Sequence, residues 1–235
     1  MDSSEFCAVV FDAVGTLIHP EPAAGLVYAE VGARFCSKLA PQAITERFRF
    51  AFQREEAVDK HAGWQTSEER ERERWRAIVR TVLDDVADPE TCFQQLFDHF
   101  SNPAAWRCDP DATDILQQLA ERAYTLGLAS NYDRRLRRVV AGLPLLRPIH
   151  YIAISSEIGW RKPAAEFFAS LYLMTGLAPQ KILFVGDDMA NDYEGARAAG
   201  CQAVIFDPNN KAPSSVFKIT RLRDLLAICS PLQAL

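Results

Sequence analysis

Hydrophobic positions along the chain change their spacing twice. Residues 6–11 are largely apolar, with an unbroken stretch that ends at a carboxylate, Asp12, and a Gly15-Thr16 turn. A short continuous run suits a strand buried on both faces. From about residue 20 to 106 no convincing strand is legible, and apolar residues recur at spacings of three and four. Ile44, Phe48, Ala51 and Phe52 form one stripe. Trp75, Ile78, Val79, Val82, Leu83 and Val86 form a second, and Phe93, Leu96, Phe97 and Phe100 a third. That period predicts a bundle of about four amphipathic helices. Pro22 and Pro41 stand where helices would begin, and Asp88-Pro89 reads as an N-cap followed by proline at the first helical position.

After Asn102-Pro103 short apolar runs return and alternate with helical stripes. Strands are expected at 124–129, 151–154, 182–185 and 203–206. The helices between them carry Ile115, Leu116 and Leu119, then Leu136, Val139 and Val140, then Phe168, Leu171 and Tyr172. Another helix ends near Gly200, and a last one covers about 222–229. Alternation of this kind builds a parallel sheet from βαβ units. The fold class is therefore α/β: a core of residues 1–19 and 104–235, interrupted after its first strand by an all-helical insert, 20–103. An insert at that point lies over the carboxyl edge of the sheet, where open α/β sheets bind ligands, and can act as a lid.

Composition narrows the classes. The chain has 235 residues, 49% hydrophobic and 24% charged, enough to bury a full core. A formal net charge of -5 offers no global basic field, so no nucleic-acid partner is expected. No run of eighteen apolar residues suggests a membrane span. The start, MDSSEFCAVVFD, lacks the pattern of a secretory signal, which makes a cytoplasmic location the expectation. The six cysteines (7, 36, 92, 108, 201 and 229) fit no zinc spacing and read as small hydrophobes. The charged run EERERERWR, residues 68–76, reads as a solvated helix face laced with ion pairs.

Four stations follow the carboxyl ends of expected strands: Asp12 with Gly15-Thr16, Ser130-Asn131, Lys162 before Pro163, and the cluster Asp187, Asp188 and Asp192. Alone, each has an ordinary explanation as a turn former, a helix cap or a surface lysine. Together and in this order they suit phosphate chemistry. Asp12 can serve as nucleophile. Asp12 and Asp187, with Asp188 or Asp192, offer hard oxygen ligands for Mg2+. Lys162 and the cation would neutralise a transferring group, and the Ser130 hydroxyl with nearby N–H groups would bind its oxygens.

This ordered pattern resembles the haloacid dehalogenase superfamily, with a helical cap of the type inserted after the first strand. The family's Asp-x-Asp-Gly-Thr-Leu stands here as Asp12-Ala13-Val14-Gly15-Thr16-Leu17. Its Ser/Thr matches Ser130, its Lys-Pro matches Lys162-Pro163, and its Gly-Asp with a further acid matches Gly186-Asp187 and Asp192. The resemblance implies a Rossmann-like core and Mg2+-dependent hydrolysis of a small phosphorylated molecule through an aspartyl-phosphate. It assigns Asp12, Ser130 and Lys162 to catalysis, Gly15, Thr16 and Asn131 to substrate binding, and Asp12, the Val14 carbonyl, Asp187, Asp188 and Asp192 to the metal.

Val14 departs from the pattern. In the family's phosphatases the residue there protonates the leaving oxygen and then activates water. General acid–base catalysis is typically worth about 10^2–10^4-fold, so turnover should be weak while the backbone carbonyl survives for the metal. Other readings stay open: a phospholigand-binding protein with little turnover, a dehalogenase-like hydrolase, or a phosphonatase-like one using Lys60 as a Schiff base. Lys38 is the other lysine of the insert. Tyr28, His61 and Trp64 are candidates to face the site from the cap, and His19 is a candidate substitute proton donor.

Overall fold

The computed structural model describes residues 6–230. The first apolar run becomes β1 (Ala8–Phe11), and a three-residue strand, β2 (Ile18–Pro20), follows the glycine turn. Four helices come next: α1 (Ala24–Arg34), α2 (Pro41–His61), α3 (Glu68–Val82) and α4 (Pro89–His99). Local chemistry sets their starts. Pro41 opens α2, the Ser67 hydroxyl accepts from the Arg70 N–H at α3, and Asp88 accepts from the Thr91 N–H at α4. Pro22 lies two residues before α1 rather than at its first position. The three stripes converge on a separate core that includes Tyr28, Ile44, Ile78, Val82, Phe93 and Leu96.

The chain returns through β3 (Trp106–Cys108), which pairs antiparallel with β2. This two-stranded ribbon spans both ends of the helical insert. At three residues a strand, it is too short to leave a period-2 signature in the sequence. Then follow α5 (Ala112–Glu121), β4 (Thr125–Ser130), α6 (Arg135–Ala141), β5 (Tyr151–Ile154), the short α7 (Ser155–Ile158) and α8 (Ala165–Thr175). The remainder is β6 (Ile182–Gly186), a π-helical turn (Met189–Glu194) running into α9 (Gly195–Ala198), β7 (Gln202–Phe206), and a two-residue β8 (Lys218–Ile219). The expected final α-helix is a 3-10 segment, Leu222–Ala227.

The main sheet has the order β5-β4-β1-β6-β7-β8 and is parallel throughout. Its strands are apolar on both sides because both faces are covered. Val9 and Phe11 join a core with α5 and α6, whereas Ala8 and Val10 pack with Phe167, Phe168 and Ala196 on the other face. From β1 the chain moves to β4 and β5 on one side, then to β6 and β7 on the other. The strand order therefore reverses at β1, and the crevice at its carboxyl end is where such sheets place ligands. Among the described residues no helix is long and apolar enough to cross a membrane.

Candidate active site

The carboxyl ends of β1, β4 and β6 bring three of the four stations together, and the loop before α8 brings the fourth. Asp12 follows β1 and stays attached to the sheet through its N–H, which donates to the Val185 carbonyl at 2.8 Å. Gly15 has φ +100°, a conformation that favours glycine, and a Cβ there would lie 2.5 Å from Asp187 Oδ2. Gly186 is confined in the same way: a Cβ would fall 2.2 Å from Asp192 Oδ2. The two glycines let two backbones approach the carboxylates closely. Thr16, fully buried, directs its hydroxyl to Asp187 Oδ1 at 3.3 Å.

Lys162 closes the cluster. Its ammonium donates at 2.6 Å to Asp12 Oδ1, at 2.6 Å to Asp192 Oδ1 and at 3.1 Å to the Ala129 carbonyl. Asn131 fixes its backbone, donating from Nδ2 to the Lys162 carbonyl and accepting the Lys162 N–H at Oδ1. The Asn131 amide, expected to bind substrate, is thus engaged in positioning Lys162. Ser130 is buried at the end of β4 and lines the same cavity as Asp12 and Lys162.

Carboxylate oxygens of Asp12, Asp187 and Asp192 lie within 4.8 Å of one another. Asp188, expected as a further metal ligand, stands apart from this trio. Its Oδ1 accepts from the N–H groups of Ala190 and Asn191, and it caps the π-helical turn. Two buried acids, Asp12 and Asp192, and the more exposed Asp187 face one lysine, and the titration behaviour reflects that shortage. Burial, reinforced by Asp192 and Asp187, pushes Asp12 up to about 8 despite Lys162. Asp187 opens to the cavity on one side, yet its carboxyl is crowded enough that desolvation, then Asp192, raises it to about 6. Burial pulls Lys162 down, but Asp12 and Asp192 outweigh it and hold the ammonium above its ordinary value. Three hard oxygens with surplus negative charge fit a divalent cation such as Mg2+.

A cavity of about 390 Å³ rises from this floor into the helical insert. Val14, half-buried, lines it beside Asp12. The insert contributes Tyr28, Phe52, Trp75 and Phe97 to its wall, and one charged residue, Glu56. Glu56 Oε1 accepts from Asn191 Nδ2 at 2.8 Å, linking α2 to the turn that carries Asp192.

A second charged cluster joins insert and core beside the floor. Arg161, the neighbour of Lys162, pairs through Nη1 with Glu71 and lies 3.6 Å through Nε from Asp59. Arg74 reaches Asp59 at 2.8 Å, and Arg70 reaches Asp59 at 2.6 Å and Glu55 at 2.9 Å. This corrects the expectation of a solvated face for residues 68–76, since Glu71 and Arg74 are each only 1% exposed. Arg161 supplies the partner that makes the burial of Glu71 tolerable, and Asp59 does the same for Arg74; at 90 residues from Glu71, Arg161 is invisible to a local reading of the run. The loop between α2 and α3 seals the junction: the Trp64 carbonyl accepts the Arg161 N–H, and the Thr66 N–H donates to the Gly159 carbonyl.

Of the other candidates, Tyr28 lines the cavity. Lys38, Lys60 and His61 are exposed and are not among the lining residues. Trp64 is half-buried and takes part through its backbone. His19 lies on β2 within 3.6 Å of Asp109, and burial lowers its pKa. Glu56, Arg135 and Arg161 face the cavity without having been singled out; only the adjacency of Arg161 to Lys162 could have flagged one of them.

The model of the haloacid dehalogenase-like hydrolases matches residues 7–200 of this chain. Haloacid dehalogenase-like hydrolase domain-containing protein 3 of Homo sapiens is 27% identical over 205 residues, 84% of this chain and 80% of that protein. Two solved structures share the fold. The HAD phosphatase of Thermococcus onnurineus aligns with TM-score 0.67 and 21% identity over 97% of this chain and 99% of its own. The L-2-haloacid dehalogenase of Xanthobacter autotrophicus aligns with TM-score 0.73 and 19% identity over 94% and 96%.

Proposed function

The chain belongs to the haloacid dehalogenase-like hydrolase family, and from that premise we propose that it hydrolyses a small phosphorylated molecule, with Asp12 as the nucleophile. The observation that carries this reading is the convergence of Asp12, Asp187 and Asp192 around Lys162. Mg2+ held by Asp12, Asp187 and Asp192, with the Val14 carbonyl as a further oxygen, would supply Lewis-acid neutralisation of the transferring group.

Lys162 orients the Asp12 carboxylate and adds positive charge where phosphate oxygens gather. An Asp12 oxygen bonds to phosphorus, the bond from phosphorus to the leaving oxygen breaks, and the electron pair departs with that oxygen. Water then attacks the aspartyl-phosphate, releasing inorganic phosphate and restoring the carboxylate. Val14 has no proton to offer at either step, so good leaving groups should turn over best.

Two observations favour this over the related chemistries. Dehalogenation in the family needs no metal, and without one the surplus charge of the three acids repels the carboxylate of a 2-haloacid, whereas Mg2+ would offset that charge for a phosphate. Lys60, the lysine weighed for a Schiff base, is exposed and not among the residues lining the cavity. Val14 favours one second reading, a phospholigand-binding protein with little turnover. Hydrolysis of p-nitrophenyl phosphate with Mg2+, lost in Asp12→Asn, is the expected result. Full activity in that variant would remove Asp12 as nucleophile. Stabilisation by phosphate and Mg2+ without turnover would favour the binding reading.

A further inference from the structure

The cavity above the carboxylates, about 390 Å³, is far larger than a phosphate group needs. Its upper wall is aromatic: Tyr28, Phe52, Trp75, Phe97, Phe100 and Trp106 all face it. The arginines that reach it are already engaged. The Arg135 guanidinium lies 3.4 Å from the centre of the Phe97 ring and makes paired 2.7 Å bonds to the Asp133 carboxylate. Arg161 is held by Glu71 and Asp59. The one charged side chain that the insert adds to the lining, Glu56, is negative. Among the described lining residues, then, no free cation stands ready for a second phosphate or a carboxylate. Burying such a group against aromatic walls and Glu56 is unfavourable, whereas an apolar ring finds edges and faces to pack on.

An independent observation at the floor points the same way. Val14 lines the cavity where an acid would protonate the leaving oxygen. An alkoxide needs that proton, but a phenolic oxygen leaves as a stabilised anion without it. Resting on the phosphoryl-transfer reading, we propose that the substrate is an aryl phosphate monoester whose ring occupies the aromatic cavity and which carries no second anionic group. Asp12 forms the bond to phosphorus. The phosphorus–aryl oxygen bond breaks with its electrons on the aryl oxygen, which takes a proton from water. A second water then attacks phosphorus, gives its proton to solvent, and frees Asp12 and inorganic phosphate.

The test is a panel on the full chain with Mg2+: 2-naphthyl phosphate, acetyl phosphate, phosphoglycolate and glycerol 3-phosphate. Acetyl phosphate has a good leaving group and no ring, so it reports on the floor alone. The expected kcat/KM for 2-naphthyl phosphate exceeds those for phosphoglycolate and glycerol 3-phosphate by at least about 100-fold. Phe52→Ala, which removes a wall, and Val79→Phe, which fills the space, should each cost 2-naphthyl phosphate at least about 10-fold more than acetyl phosphate. Equal turnover of phosphoglycolate, or equal losses on both substrates, overturns the proposal. Efficient turnover of glycerol 3-phosphate that disappears in Glu56→Gln also overturns it, by assigning the missing proton to Glu56. If a variant fails to fold, the wild-type panel decides. If acetyl phosphate itself is untouched, phosphoryl transfer is what has failed. Thermal stabilisation by 2-naphthylmethylphosphonate but not phosphonoacetate then upholds the aromatic site, and the reverse preference refutes it.

Discussion

Two clusters of largely buried charge lie side by side in this molecule, and their charge counts differ. Beside the sheet edge, Asp12, Asp187 and Asp192 confront Lys162, three acids to one base. At the junction with the insert, Glu55, Asp59 and Glu71 confront Arg70, Arg74 and Arg161, three to three. The balanced cluster carries no surplus charge, although Glu71 Oε2 and Arg74 Nη2 are buried without a hydrogen-bond partner among the described residues, and its arginine forks tie helices α2 and α3 to the core. The unbalanced cluster retains surplus negative charge that protons or a cation must neutralise. Charge count thus separates a chemical site from a structural joint more clearly than burial does, since each mixes buried groups with a more exposed one, Asp187 in the first and Arg70 in the second.

The sharpest way to break the comparison is to remove one acid from each cluster. Asp12→Asn should lower hydrolysis of an aryl phosphate by at least about 10^4-fold. In the absence of Mg2+ its melting temperature should hold or rise, because one repelling carboxylate is gone. Asp59→Asn should do the opposite. It leaves Arg74 and Arg161 under-neutralised and should cost about 3–5 kcal/mol in a denaturant titration, while the floor keeps its acids. Similar stability changes in the two variants would erase the distinction.

Acidity offers a gentler test. Asp12, raised to about 8, and Asp187, raised to about 6, bind protons in the native state that the unfolded chain has already lost near pH 4. Between those values the native state holds more protons, so stability without metal should fall as pH rises, by at most about 1.4 kcal/mol per pH unit for Asp12 and by less for Asp187, whose exposure lets solvent screen it. Added Mg2+ competes with those protons, and its stabilising effect should therefore grow from about pH 5 to 8. Thermal melts with Mg2+ and with a chelator measure both slopes; a stabilisation independent of pH would contradict the assignment. The smallest effect is expected at the link between insert and floor. Glu56→Ala removes the acceptor of the Asn191 amide and should cost about 1 kcal/mol.

The sheet and its edge were legible in the sequence because each rests on local pattern. Apolar runs mark β1, β4, β6 and β7, and residues at or just beyond the ends of the first three, Asp12, Ser130 and Asp187, sit at the site. The ribbon of β2 and β3 left no signal at three residues a strand. Charge pattern alone could not tell that Glu71 and Arg74 are buried, because the partner of Glu71, Arg161, lies 90 residues away and that of Arg74, Asp59, lies on another helix. The aromatic stripes announced helices and a core, and they are that. The same residues also line the cavity, which depends on how the insert sits over the sheet. The roles of Asp188 and Asn131 turned on single hydrogen bonds that spacing does not specify.

The central claim, that the three-acid floor is incomplete without a divalent cation, is tested most directly by calorimetric titration of Mg2+ into the wild-type chain, Asp192→Asn and Asp59→Asn at neutral pH. One saturable site is expected in the wild type, with affinity weakened at least about 10-fold in Asp192→Asn and little changed in folded Asp59→Asn. Absence of binding in the wild type, or equal affinity in wild type and Asp192→Asn, would contradict it.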